Sequence, residues 1–165
     1  MGASNNKFCS ADRLLPRCEP GDLVEILHPS STFNHWGVYV GDGYIIHVRQ
    51  PWVKKETLAQ AAGGRLVRVN NDKHKVLKCK PLRAEKIVNT AYDQVGLDWY
   101  NVQFYGCEMF VIRCRYGIKV NVAELYREVI TEPKTTPYAM CNPIVMFGHQ
   151  QHENGIVELD YQNYD

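Results

Sequence analysis

An α+β fold, a small antiparallel sheet with helices packed on it, is what this sequence predicts. Two patterns carry the expectation. Short β-rich runs, Trp36–Val40 and Tyr44–Val48, flank a Gly41-Asp42-Gly43 loop and read as a hairpin. Apolar residues then recur at helical spacing in Ile87, Val88, Ala91 and Val95. With 165 residues, 45% of them apolar and 11% aromatic, the chain has the size of one domain and enough apolar mass for a core, which excludes wholesale disorder.

In chain order, residues 1–18 read as a polar lead-in, 19–130 as the folded domain, and 131–165 as a polar, acidic tail. Pro20-Gly21-Asp22 is a turn signal, and Leu23–Leu27 follows as a strand closed by His28-Pro29. After the hairpin, Glu56–Ala62 reads as a short helix broken by Gly63-Gly64, and Arg65–Val69 and His74–Cys79 alternate like half-buried strands. Arg83–Val95 is predicted helical, with Gly96 at the C′ position. A second helix runs from about Cys107 to Tyr116 and stops at Gly117. A third starts at Asn121, a good N-cap with Glu124 three residues on.

The net charge of +1 hides a segregation: residues 49–86 hold eleven basic and three acidic side chains. That segment is either a solvated edge or an anion-facing surface, and two anionic partners suit it, phospholipid headgroups and RNA phosphates. Host proteins are a further class of partner for such a face. Apolar runs of about 18 residues, the length a spanning helix needs, are absent. The N-terminus lacks a secretory signal and the six cysteines show no tight spacing, which points to a cytoplasmic protein with reduced thiols, peripheral to intracellular membranes if lipid is the partner. Metal and cofactor are not called for: there is no C-x-x-C pair, and His149-x-x-His152 has no thiol near it.

Three residues stand out as a candidate site. His35 and His47 lie on either side of the hairpin, and loop length decides whether they cooperate. A two-residue Asp42-Gly43 turn would pair Val38 with His47 and send the histidines to opposite faces. A three-residue loop would pair Gly37 with His47, place both imidazoles on one face, and leave room above Gly37 for another group. The longer loop, which usually ends in a bulge, is favoured because Gly43 suits its left-handed position. The missing group is Cys107, in the first turn of its helix, where the helix dipole and an adjacent imidazole would lower the thiol pKa. Cysteine nucleophile, histidine base and orienting histidine suit acyl transfer through a thioacyl-enzyme. Cys114, one heptad later, competes, but its mid-helix position argues for core.

The same residues carry a family resemblance. Glu19–Ile26 followed by His35-Trp36-Gly37-Val38-Tyr39-Val40-Gly41-Asp42-Gly43-Tyr44-Ile45-Ile46-His47 resembles the H-box of the lecithin:retinol acyltransferase-like family, which includes the HRAS-like suppressor phospholipase/acyltransferases. Gly106-Cys107-Glu108-Met109-Phe110-Val111 with Arg115-Tyr116-Gly117 resembles its second motif, although Gly106 and Met109 replace that motif's usual Asn and His. The resemblance implies a permuted NlpC/papain-like fold, with His35, His47 and Cys107 as its catalytic set. An H-box domain with a drifted second motif and a polar tail is also similar to the 2A non-structural proteins of some picornaviruses. Two functions therefore follow as expectations. The first is a 2A-like replication and host-interaction protein that keeps the Cys-His-His set, with its chemistry open. The alternative is an active thiol phospholipase A or acyltransferase working through Cys107.

Overall fold

A computed structural model describes residues 7–29, 33–99 and 106–124. Among them, five antiparallel strands form one sheet: β1 (Leu23–Ile26), β2 (His35–Gly41), β3 (Tyr44–Arg49), β4 (Trp52–Thr57) and β5 (Val67–Val69), in the order β4-β3-β2-β1-β5. The helices are α1 (Ala11–Leu14, continued by a 3₁₀ turn over Leu15–Arg17), α2 (Leu58–Ala62), α3 (Lys73–Leu77), α4 (Ala84–Asp93) and α5 (Gly106–Tyr116). This is the expected α+β class.

Helices cover both faces of the sheet. Leu23, Val38, Ile46 and Val53 meet Ile87 and Ala91 of α4 and Phe110 and Val111 of α5. The alternate set, Val24, Ile26, Tyr39, Ile45 and Val67, meets Leu14 of α1 and Leu58, Ala61 and Ala62 of α2. Coverage on both sides explains why β1 to β3 read as nearly continuous apolar runs instead of alternating ones. The edges are covered too. Cys9 exchanges backbone hydrogen bonds of 2.9 and 2.8 Å with Val67 of β5, and Val53 of β4 exchanges bonds of 3.1 and 2.9 Å with Leu97 and Gly96.

The hairpin pairs Gly37 with His47, Val38 with Ile46 and Tyr39 with Ile45, then Gly41 with Tyr44. Its turn holds two residues, Asp42 and Gly43, both at positive φ (52° and 81°), the type I′ pattern. The extra residue expected in the loop is instead taken up at Val40 as a bulge, and the pairing of Gly37 with His47 is the one expected.

Several expectations are corrected. Within residues 7–18, Leu14 is buried and Cys9 pairs with β5. Residues 52–57 form β4, with the helix starting only at Leu58 behind a capping box between Thr57 and Gln60. Residues 73–77 are helical rather than extended, because Leu77 packs on Ile112 and Tyr116 of α5 and Lys78, at φ 55°, ends the turn. Helix α4 stops at Asp93 and Val95 is exposed, since the next residues turn to bond β4. Cys79 is disulfide-bonded, against the expectation of reduced thiols, whereas Cys9, Cys18, Cys107 and Cys114 are free. The Asn121 carboxamide oxygen accepts the amides of Ala123 and Glu124 as an N-cap; the rest of that helix and the acidic tail lie outside the described residues.

A buried carboxylate fixes the start of β2. Glu25 accepts hydrogen bonds from Arg68 (2.7 Å), Asn70 (2.8 Å) and Asn34 (2.6 Å), while Asn34 accepts the His28 amide at 3.1 Å. Burial alone would raise its pKa; the three donors outweigh burial and hold the group below the usual carboxylate range. Asn34 immediately precedes His35, so this cluster sets where the first imidazole begins. Glu25→Ala leaves three half-buried donors without their acceptor and is expected to cost ~2 kcal/mol in urea denaturation.

Candidate active site

Strand pleat and register bring the two histidines together. His35 and His47 project to the same face as Gly37, and His35 Nε2 lies 2.7 Å from His47 Nδ1, the rings meeting edge-on with centroids 5.0 Å apart. The room expected above Gly37 is occupied: a Cβ there would stand 2.7 Å from Ile45 Cδ1 and 3.2 Å from His47 Cβ. Glycine here lets Ile45 and the backbone end of the second imidazole sit close over the strand, and an added methyl would have to displace both.

A residue that sequence reading assigned to a helix completes the array. Glu56 of β4 accepts from His47 Nε2 at 2.8 Å, and Arg49 Nη1 donates to both Glu56 oxygens at 2.9 Å. In the β3–β4 ladder, Lys54 stands opposite His47, so Glu56 is its diagonal neighbour on the same face. The one available signal was the Gln50-Pro51 turn directly after β3, which allows a further antiparallel strand; residues 52–56 themselves do not alternate.

These contacts fix the tautomers. Burial would raise the Glu56 pKa, but the hydrogen bonds from His47 and Arg49 bring it below the usual value, so the carboxylate is ionised and only accepts. His47 therefore carries its hydrogen on Nε2. Burial lowers the His47 pKa despite the upward pull of Glu56, leaving the ring neutral with a lone pair on Nδ1. His35 must then donate from Nε2, which leaves Nδ1 as its basic nitrogen, with no partner among the described residues. Burial, followed by the repulsion a protonated His47 would exert and by the charges of Arg65 and Arg49, takes the His35 pKa down to about 3.

Cys107 approaches from elsewhere. Helix α5 packs on the opposite face, the one that carries Trp36, and the thiol lies at the Trp36 backbone, one residue beyond His35. Lys73 locks this helix end in place: it pairs with Glu108, the residue after Cys107, and its ammonium lies 4.2 Å from the centre of the Trp36 ring. Hydrogen bonds between Cys107 and either imidazole are absent among the described residues. The expectation of a lowered thiol pKa is corrected. Burial pushes the thiol up, Glu108 adds to that, and the backbone amides of Trp36, Glu108 and Cys107 itself do not compensate. At rest the site pairs a protonated thiol with a neutral imidazole. Cys114 is buried in the core, as its position predicted. Among the described residues no group of three or more His, Cys, Asp or Glu side chains is arranged to hold a metal ion.

The family profile described as lecithin retinol acyltransferase matches residues 16–120, which include all three site residues. The chain belongs to this family. Its relatives include human phospholipase A and acyltransferase 3, 37% identical over 124 residues that cover 63% of this chain and 74% of that protein. Human phospholipase A and acyltransferase 2 is 37% identical over 123 residues, covering 62% and 74% of the two chains. Human phospholipase A and acyltransferase 4 is 34% identical over 119 residues, covering 60% and 70%.

Two outcomes follow from the histidine array. Both histidines have folded pKa values below 6.5, so between pH 6.5 and about 3 the unfolded chain binds protons that the folded chain refuses. Stability is then complete above the unfolded pKa and falls with acidification, at up to ~1.4 kcal/mol per pH unit for each histidine. Urea denaturation from pH 7 to 5 should show this slope, reduced in His35→Asn. Glu56→Ala removes the acceptor that orders the tautomers, and imidazole ¹⁵N spectra should change from a single Nε2–H form of His47 to a mixture.

Proposed function

We propose that this protein is a cysteine-dependent phospholipase A/acyltransferase, with Cys107 as nucleophile, His35 as general base and His47 as the residue that positions it. The observation that carries the reading is the ordered chain Arg49–Glu56–His47–His35, which leaves one imidazole nitrogen free for proton transfer at the end of β2 where the thiol lies. The names of the relatives favour this over a 2A-like binding role.

In this reading the site works from neutral partners. Sγ attacks the ester carbonyl of a phospholipid as the thiol proton passes to His35 Nδ1. The C–O bond then breaks, and the same proton leaves with the lysophospholipid oxygen, giving a thioester on Cys107. Water resolves the thioester in hydrolysis, and an amine or alcohol resolves it in acyl transfer. The amides of Trp36, Cys107 and Glu108 around Sγ stabilise its negative charge as the proton departs. Chain order, histidines first and nucleophile helix last, suits a permuted NlpC/papain-like scaffold.

Intact-protein mass spectrometry after incubation with mixed phospholipid vesicles tests the reading. An acyl-sized mass gain is expected in the wild type and not in Cys107→Ala, with His35→Asn slowing its appearance about 100-fold. Failure to acylate, with product formation unchanged in Cys107→Ala, overturns it.

A further inference from the structure

We propose that the corner of the sheet formed by the start of β4 and the 94–98 segment is the surface by which the domain settles on an anionic phospholipid bilayer; this rests on the phospholipid reading above. Large apolar side chains concentrate there. Trp52, Val95 and Leu97 are 45%, 41% and 44% exposed. Backbone bonds between Val53 and both Gly96 and Leu97, with the bridge between Trp52 and Asp98, hold these side chains in one neighbourhood. On the other face of the same edge Lys55 stands opposite Ile46, its ammonium 4.6 Å from the Tyr44 ring centre and 5.0 Å from that of Tyr92, both rings themselves exposed. Lys54 is exposed on the next residue of the same strand.

The chemistry fits a lipid interface better than water. The Trp52 indole is an amphipathic ring suited to headgroup depth, Val95 and Leu97 are aliphatic enough to enter the acyl boundary, and Lys54 meets anionic headgroups, with Lys55 and its two phenols flanking the edge from the other face. Asp93 and Asp98 border the patch, so apolar insertion carries much of the binding and the association withstands salt better than a purely ionic one. Position adds a second argument. In the ladder Trp52 stands opposite Arg49 and Lys54 opposite His47, which puts both on the imidazole face. A bilayer touching Trp52 therefore lies against the side of the sheet that carries His35 and His47.

The three tryptophans make the test specific, because Trp36 and Trp99 are only 5% and 7% exposed and Trp52 alone is open. The full chain carrying Cys107→Ala, so that turnover plays no part, is titrated with vesicles of phosphatidylcholine with and without phosphatidylserine. Part of the lipid is brominated in the upper acyl chain. Blue-shifted emission and bromine quenching are expected with the anionic vesicles, both lost in Trp52→Phe. Val95→Ser combined with Leu97→Ser should weaken vesicle binding about tenfold or more at an unchanged thermal midpoint. Binding that leaves Trp52 emission unchanged, binding indifferent to the double substitution, or no binding at all would overturn the proposal. So would a lipid-free dimer abolished by Trp52→Ser, which would assign the patch to a second copy. Absence of an acyl adduct on Cys107 leaves this outcome untouched, so the two readings fail separately.

Discussion

His35 and His47 share a face because the bulge at Val40 takes up one residue between the Asp42-Gly43 turn and the Gly37–His47 pair. Without that residue Val38 would stand opposite His47, and the pleat would send the second imidazole toward α4 and α5. The rest of the array depends on the same register. His47 can reach Glu56 only from the face on which β4 presents it, and Arg49 reaches Glu56 only as the next same-face residue of β3. Glycine at position 37 then lets His47 and Ile45 lie close to the strand, where an added methyl group would crowd both. A single local irregularity in one hairpin thus decides which titratable groups meet.

The site's electrostatics come from burial more than from pairing. Desolvation is the largest influence on Cys107, His35 and His47 alike, and it disfavours charge on each of them. An ion pair between thiolate and imidazolium is therefore not the resting state. In the proposed reaction, charge arises only as the proton moves, where oriented amides and a fixed proton acceptor help most because they need not reorganise. The Glu56–Arg49 pair lies at the solvent-facing end of the array. It neutralises a carboxylate that would otherwise pull a proton onto His47, and it still dictates which nitrogen holds the hydrogen.

Much of this was legible in the sequence, for physical reasons. The hairpin and its pairing could be read because β-rich runs around a Gly-Asp-Gly loop admit few registers, and α5 because Gly106 and Gly117 bracket an apolar stretch. His35 and His47 were within reach for the same reason. Glu56 was not, since Trp52–Thr57 carries four polar residues on an edge strand and runs straight into a capped helix. Residues 73–77 were misread because five residues are too few to separate a period of two from one of 3.6, and it is the contact of Leu77 with α5 that decides. The thiol pKa was misjudged because helix dipole and imidazole are visible in a sequence, whereas the depth of burial is not. That helix α5 comes from the Trp36 side of β2, with no hydrogen bond between Cys107 and an imidazole among the described residues, was equally invisible.

The covering of both sheet edges has a consequence for how copies of this domain can meet. A bare strand edge offers a row of unsatisfied amides and carbonyls that recruits any extended peptide. Here Cys9 occupies that row on β5, and the backbone of Gly96 and Leu97 occupies it on β4. Association by strand addition is thereby obstructed at Val67 on one edge and at the start of β4 on the other. On the β5 side the closure consists of one short peptide preceding α1. Trimming the chain back to residue 10 would uncover a cohesive edge and turn a self-contained sheet into one that can grow.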